Sequence, residues 1–286
     1  MGKFEVTNAQ YSEFLNQVDP AGLNSLSLYS GDMATSPHGG IVFNNALANG
    51  TKFAPKVDYA AKPAVFVSWY DTLRFANWLH NGQGTGSTET GAYTLLGNTP
   101  TPTNGATVIR SAGATWFLPS ESEWHKSAYH KNDGVTSNYW AFTTESDSVA
   151  LAQSPPGSTS TPGSANYNSV VGSVVNVGSY SAMNLQGDFV SDGPYGTFDQ
   201  GGNVWEWTEA PISLSSRVIR GGSWIEAPFV LGAGIRGTGV PAEATELVGF
   251  RVGMIPEPNT IVGFVFAAAV ALGLRRSRAV APCRVA

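Results

Sequence analysis

Cysteine is almost absent from this sequence: the 286 residues contain one, Cys283, in the C-terminal tail. A single cysteine excludes an intramolecular disulfide and a zinc site built from cysteines. Because thiol chemistry requires a cysteine thiolate and the only cysteine lies in the tail, the body of the chain cannot carry out such chemistry.

Histidine is scarce as well, with four residues. His125 and His130 are close in sequence, but their spacing does not place them on one helical face as His-x-x-x-His would. We therefore predict that these two histidines are surface residues and not metal ligands.

Charged residues make up only 13% of the chain, and the formal net charge is −5. The sequence has no basic stripe, which argues against nucleic acid as a partner. Instead it has 33 glycines and 8 tryptophans. The aromatic residues can form a sizeable core, while the glycine and proline content indicates many turns. We therefore expect a loop-rich fold and not a helical bundle.

Three segments carry the same helix-start pattern, at residues 7–10, 68–71 and 120–123. In each, a hydroxyl residue precedes an acid or amide by three positions, as in a capping box, so each predicts a helix. Glu121 and Glu123 are accordingly interpreted as charges at a helix start and not as an acid/base pair. Short strands are predicted at Met1–Val6, Pro63–Val67, Trp116–Pro119, Val174–Tyr180, Val218–Ile219 and Val248–Val252. Residues 83–113 are predicted to form one exposed excursion, and residues 144–164 a polar loop.

The stretch from Gly196 to Trp224 is the most distinctive part of the chain. It contains two glycine pairs, each leading into an aromatic segment, with Trp205-Glu206-Trp207 between them. In an extended strand the two indoles lie on one face and the carboxylate on the other. We predict that the indoles join the core and that Glu206 points into a different environment.

Six segments together resemble the sulfatase-modifying factor family, that is, the formylglycine-generating enzyme domain. They are FEVTNAQYSEFL (Phe4–Leu15), VSWYDTLRFANWL (Val67–Leu79), LPSESEWHKSA (Leu118–Ala128), FDQGGNVWEWTEA (Phe198–Ala210), RVIRGGSW (Arg217–Trp224) and VGFRV (Val248–Val252). Because they follow the family's order, we predict one such domain over residues 1–254, truncated at its N-terminus. The resemblance implies an α+β fold of the modified C-type-lectin-like kind, with little regular structure.

The family's reaction uses two cysteines that bind copper(I) and activate oxygen to oxidise a substrate cysteine. The resemblance places this pair shortly after the Gly-Gly-Ser-aromatic turn, where this chain has Glu226 and about Leu231. Thiolates are the nucleophile and metal ligand in such chemistry, so without them we expect no copper and no formylglycine generation. The walls of the remaining pocket are predicted to include Trp205, Ser223, Trp224 and Glu226.

Calcium is also implied by the resemblance. The family holds a calcium ion around the Trp-Glu-Trp segment, where the matching positions are Asp199, Glu206 and the carbonyls of Gly202 and Val204. Such mixed oxygen ligands suit a hard cation. A second, weaker site has lost its acidic ligand at Gly178 and would use Asn166 and the carbonyls of Tyr167 and Tyr180. An acid close before glycines is common in turns, so Asp199 could instead be a turn residue.

The tail, residues 255–286, has a different character. Pro256-Glu257-Pro258 precedes an apolar run from Ile261 to Leu274, which is followed by an arginine cluster. The run is shorter than the roughly 20 residues of a full span, but its basic flank favours a transmembrane helix in the inner membrane over a buried core helix. The tail resembles the PEP-CTERM sorting signal of Gram-negative bacteria, which an exosortase recognises. This implies export to the cell surface after a signal peptide, and since Met1–Val6 does not look like one, the start is expected to be internal.

The sequence leaves different functions open. One is a surface-anchored, non-catalytic module that binds an extracellular peptide, glycan or matrix polymer, with Trp224 and Trp140 as exposed aromatic candidates. Another is an enzyme of altered chemistry that recruits Ser223 or Glu226 in the same pocket. A third, a structural part of an extracellular matrix, differs from the first only in its ligand.

Overall fold

A computed structural model describes residues 1–255, of which Met1–Met254 form one compact unit. The helices are α1 (Asn8–Val18), α2 (Asp32–Thr35), α3 (Trp69–His80) and α4 (Glu121–Tyr129), with 3-10 turns at Gly105–Thr107 and Pro228–Leu231. The strands are β1 (Ile41–Phe43), β2 (Phe53–Pro55), β3 (Trp116–Phe117), β4 (Leu151–Ala152), β5 (Ser164–Ala165), β6 (Trp205–Ser213), β7 (Ser216–Arg220), β8 (Gly237–Gly239), β9 (Val248–Gly249) and β10 (Gly253–Met254). The expected loop-rich mixture of helix and strand is confirmed.

All three predicted capping boxes are present. In α1 the Thr7 hydroxyl accepts from the Gln10 backbone, and the Gln10 side chain accepts from the Thr7 backbone. The same reciprocal pair begins α3 and α4. Each cap satisfies helix-start N–H groups that would otherwise lack partners, so the three helices begin where the sequence predicts.

The central sheet has the strand order β8-β7-β6-β9. Strand β6 runs antiparallel to β7 and parallel to β9, with Glu206 opposite Arg220 on one side and Gly249 on the other. Trp205 and Trp207 are buried in the main hydrophobic core. The predicted division of this strand into an indole face and a carboxylate is therefore confirmed.

Glycine is needed where the chain enters β6. Gly202 has a φ of +85°, and a Cβ there would lie 2.3 Å from the carbonyl oxygen of Asn166. Asn203 N donates to that same oxygen at 2.8 Å. A side chain at residue 202 would therefore separate two backbone segments that bring distant parts of the sequence together.

Several predicted strands do not form. Met1–Val6, Pro63–Val67 and Val174–Tyr180 are outside every strand, and Val248–Val252 is a strand only at Val248–Gly249. These segments are held by scattered backbone hydrogen bonds, such as Val6 N to the Phe250 oxygen at 2.9 Å. Val6, Val65, Val67 and Val174 are buried, whereas Met1 and Phe4 are exposed. An apolar pattern therefore does not require a continuous strand ladder.

Two other predictions are wrong. Residues 83–113 are not one exposed excursion, because Tyr93 is buried and its hydroxyl accepts from Leu118 N at 2.9 Å. His130 is not a surface residue: it is buried, with its ring nitrogens near the Tyr195 hydroxyl and the Val135 carbonyl.

The predicted membrane segment, Ile261–Leu274, lies outside the described residues. Within residues 1–255, no helix is both long and apolar enough to cross a membrane.

Candidate functional site

The carboxylate of Glu206 is paired with a guanidinium in the interior. Arg251 Nε lies 2.6 Å from Glu206 Oε2, and its Nη2 lies 2.6 Å from Oε1. Trp124 Nε1 donates to the same Oε2 at 2.7 Å. All three side chains are fully buried. Both oxygens of Glu206 are thus occupied by protein donors in a charge-assisted, bidentate arrangement.

Two more carboxylates lie near Arg251. Glu5 is buried and accepts from Asn203 Nδ2 at 2.9 Å, while Asp199 accepts from Gly178 N at 2.5 Å. Glu5 and Asp199 are close enough for each to influence the pKa of the other. Three acids therefore lie near one arginine, and two of them, Glu5 and Glu206, are buried.

This charge imbalance affects protonation. Burial raises the pKa of Glu5, and the nearby charge of Asp199 raises it further. Burial also raises the pKa of Asp199, although the Gly178 N–H and Arg251 limit the rise. The pair therefore favours holding a proton or a cation over carrying two negative charges.

Three of the seven predicted calcium ligands lie around the same cavity. Asp199, Asn166 and Tyr180, which belong to two different predicted sites, line one small cavity together with Asn203. Its volume is about 10 Å³. That is close to the least space that holds a single water molecule.

Asn166 lines this cavity, and Glu5 contacts the lining residue Asn203 without lining the cavity itself. Glu5 Oε2 and Asn166 Oδ1 are buried oxygens without a hydrogen-bond partner among the described residues. Within that part of the chain, no three His, Cys, Asp or Glu side chains converge as a metal-binding group. A calcium ion here would therefore need amide and backbone oxygens beside the carboxylates. Glu206 is held by Arg251 and Trp124 instead, and the calcium assignments of Gly202, Val204 and Tyr167 stay predictions.

The predicted pocket residues meet at the turn after β7. Trp205 Nε1 donates to Glu226 Oε1 at 2.9 Å, and Glu226 N donates to the Ser223 carbonyl at 3.1 Å. Ser223 is fully buried, and its hydroxyl has no partner among the described residues. These contacts hold the Glu226 carboxylate against the Trp205 indole.

The surface beside this turn is apolar. Trp224 was predicted to be exposed, but it is buried, with its ring centre 4.7 Å from that of His38. The exposed apolar residues are Ile225 and Phe229, the latter 68% exposed. Ligand contact at this turn would therefore involve these neighbours more than Trp224.

Comparison with known proteins agrees with this fold. The profile described as "Sulfatase-modifying factor enzyme 1-like domain" matches residues 1–254.

The chain belongs to this sulfatase-modifying factor family.

Solved structures similar to this sulfatase-modifying-factor-like domain include Treponema denticola variable protein 1. It is 18% identical with a TM-score of 0.52, and the match covers 88% of this chain and 82% of that one. The crystal structure of CarF is 20% identical with a TM-score of 0.52, and covers 89% of this chain and 85% of its own. At these identities the likeness concerns the fold. No curated protein matches the chain at a significant level.

The sequence predicts that this domain lacks the family's cysteines at two positions, Glu226 and about Leu231. Leu231 is buried in an apolar cluster with Tyr167, Ala165 and Ala150. The described part of the chain contains no cysteine. Glu226 is thus a hydrogen-bonded carboxylate and Leu231 a packed core residue.

Sequence reasoning missed Glu5, Arg251, Trp124 and Asn203 as members of the buried polar cluster. Arg251 lies in one of the six segments that resemble the family. It is one of four buried arginines in a chain with few charged residues. No local pattern indicates that Glu5 contacts Asn203, which is 198 residues away in sequence.

Proposed function

We propose that residues 1–254 act as a non-catalytic binding module for an extracellular peptide, glycan or matrix polymer. The observation that supports this concerns the two positions to which the resemblance assigns the family's cysteines: Glu226 is hydrogen-bonded to Trp205, and Leu231 is packed in an apolar cluster. Copper(I) and oxygen chemistry needs soft thiolate ligands. The described domain offers none, while its fold is retained.

The binding surface would lie beside the turn after β7. Ile225 and Phe229 provide exposed apolar area, and Glu226 lies between them in sequence. Exposed apolar groups next to a few polar ones are typical of recognition surfaces. An altered enzyme is less well supported, because the Ser223 hydroxyl is fully buried with no base beside it among the described residues.

Arrays of immobilised peptides and glycans, probed with the full chain, test this proposal. We expect binding to members of at least one class, reduced at least tenfold by Phe229→Ser. The matched control is Leu185→Ser, which changes a fully exposed leucine elsewhere and should leave binding unchanged. No binding to either array, or equal binding by Phe229→Ser, would contradict the proposal.

We further propose that residues 255–286 are a PEP-CTERM sorting segment, recognised by an exosortase through Pro256-Glu257-Pro258 and anchored in the inner membrane before export. The support is the tripeptide, the apolar run and the arginine cluster of the sequence. In a Gram-negative host with an exosortase and a supplied signal peptide, we expect tail cleavage and surface display. Glu257→Ala should block both, and unchanged cleavage of that variant would refute the assignment.

We also propose that calcium binds at the cavity lined by Asp199, Asn166 and Tyr180. Asn166 Oδ1 in the lining and Oε2 of the neighbouring Glu5 have no hydrogen-bond partner among the described residues, and three carboxylates lie near the single guanidinium of Arg251. These features support the proposal. The family resemblance suggested the ion, and its most accessible test is the thermal unfolding measurement given below.

A further inference from the structure

A second cavity lies between the start of α3 and the strands β6 and β7, and its lining includes Glu209, Ala210 and Pro211 of β6. It has a volume of about 320 Å³. Its walls include Trp69, Val108, Ile109, Pro211 and Arg217. The size falls at the lower end of the range for small-molecule sites, so it suits a small ligand.

Arg217 is the unusual member of this cavity. Four arginines are buried in the described structure, and three have a carboxylate within salt-bridge distance: Arg74 with Glu89, Arg220 with Glu121 and Arg251 with Glu206. Arg217 has no such partner among the described residues.

The hydrogen bonds of Arg217 leave part of its guanidinium unused. Nη2 donates to the carbonyls of Gly105 at 2.9 Å and Ala106 at 3.4 Å, while Nε has no acceptor. Its Cζ lies 4.1 Å from the ring centre of Trp69. Burial lowers the pKa of Arg217. A buried cation without an anion is costly, so a bound anion would stabilise it.

The acid in the same cavity does not supply this anion. Glu209 is bound by Arg110, with Nε to Oε1 at 2.7 Å and Nη2 to Oε2 at 2.8 Å, and Tyr93 also donates to it. Arg110 is shared between Glu209 and Glu123, and it holds Glu209 at its own end of the cavity. At the other end, Arg217 has no carboxylate within salt-bridge distance among the described residues.

We propose that this cavity binds a small organic carboxylate with an aromatic or branched apolar body. The carboxylate would pair with Arg217, whose planar fork suits that group. The body would lie against Trp69, Val108 and Pro211, with the exposed Ile109 at the rim. This site is separate from the proposed binding surface beside the turn after β7, and holds whether or not that surface binds a polymer.

Calorimetric titration of the full chain with phenylacetate, and with neutral phenylacetamide as the matched probe, tests the proposal. We expect phenylacetate to bind at least tenfold more tightly than the amide. Arg217→Met should abolish this preference, and Arg236→Met, which removes an exposed arginine elsewhere, should leave it unchanged. Equal binding of the two probes, binding of neither, or a preference retained by Arg217→Met would overturn the site.

Arg217→Met also leaves the Gly105 carbonyl without its donor, which could destabilise the fold. A second variant therefore tests the site with Arg217 in place. Ala210→Trp places a large side chain at the cavity wall and leaves Arg217 intact. It should remove phenylacetate binding while the thermal unfolding midpoint stays near that of the wild type. Undiminished binding in a folded Ala210→Trp protein would equally overturn the proposal.

Discussion

Replacement of Arg251 should destabilise the domain far more than replacement of its partner Glu206. Arg251→Met removes the guanidinium that faces the carboxylates of Glu5, Asp199 and Glu206. It also leaves the Phe198 and Gly2 carbonyls without their donors. Glu206→Gln keeps the side-chain volume, and Arg251 still feels the charges of Glu5 and Asp199. The two variants thus expose very different amounts of uncompensated charge.

The magnitudes follow from that difference. Breaking a buried pair by removing one partner costs about 3–5 kcal/mol, and Arg251→Met should lie at the upper end. Glu206→Gln should cost about 1–3 kcal/mol, the usual penalty of leaving a buried group unsatisfied. The double variant should lose less than the sum, because neither charge is then left without its partner, with a coupling of about 0.5–3 kcal/mol.

Urea unfolding of the full chain at neutral pH, followed by tryptophan fluorescence, measures these free energies. Arg236→Met is the control, because its pair with Glu121 is exposed on the arginine side and should be worth at most about 1 kcal/mol. The reasoning is refuted if Arg251→Met costs less than Glu206→Gln, or no more than the control.

Three further predictions concern the same region. The raised folded-state pKa of Glu5 means that its contribution to stability is present below its unfolded pKa and is lost as pH rises through the folded one. In EDTA, Glu5→Gln should therefore gain stability over wild type between about pH 5 and pH 8, and an unchanged difference would contradict this. Calcium should raise the thermal midpoint more at about pH 8 than at about pH 5, since protons compete for the same oxygens. Asp199→Asn should abolish this rise, and an equal rise in that variant would exclude the site. Gly202→Ala should cost about 1–3 kcal/mol in urea unfolding, because of its positive φ and the Asn166 carbonyl. Gly113→Ala, in open space, should be near neutral, and similar costs for both would refute the close-approach argument.

Local chemistry predicted the parts of the fold that depend on neighbouring residues. The capping boxes at Thr7, Ser68 and Ser120 form as expected because donor and acceptor are three residues apart. The alternation of Trp205, Glu206 and Trp207 also predicted correctly which side chains enter the apolar core, since strand geometry fixes it.

Longer-range features were not accessible in this way. Tyr93 looked like part of an exposed excursion, yet its hydroxyl contacts Leu118 and Glu209 across the fold. Asp199 and Asn166 were assigned to separate sites, and only tertiary packing brings them to one cavity. Arg217 was part of a recognised segment, but its lack of a carboxylate depends on which residues surround it in three dimensions.

The central claim is that this domain keeps the family's fold without its thiol chemistry. The most direct measurement is mass spectrometry of a cysteine-containing sulfatase peptide, after incubation of the full chain with copper(I) and oxygen. The account predicts that the peptide cysteine is unchanged, because residues 1–255 contain no cysteine to supply the thiolates that this reaction needs. Formation of the formylglycine aldehyde above the level of a protein-free control would contradict it.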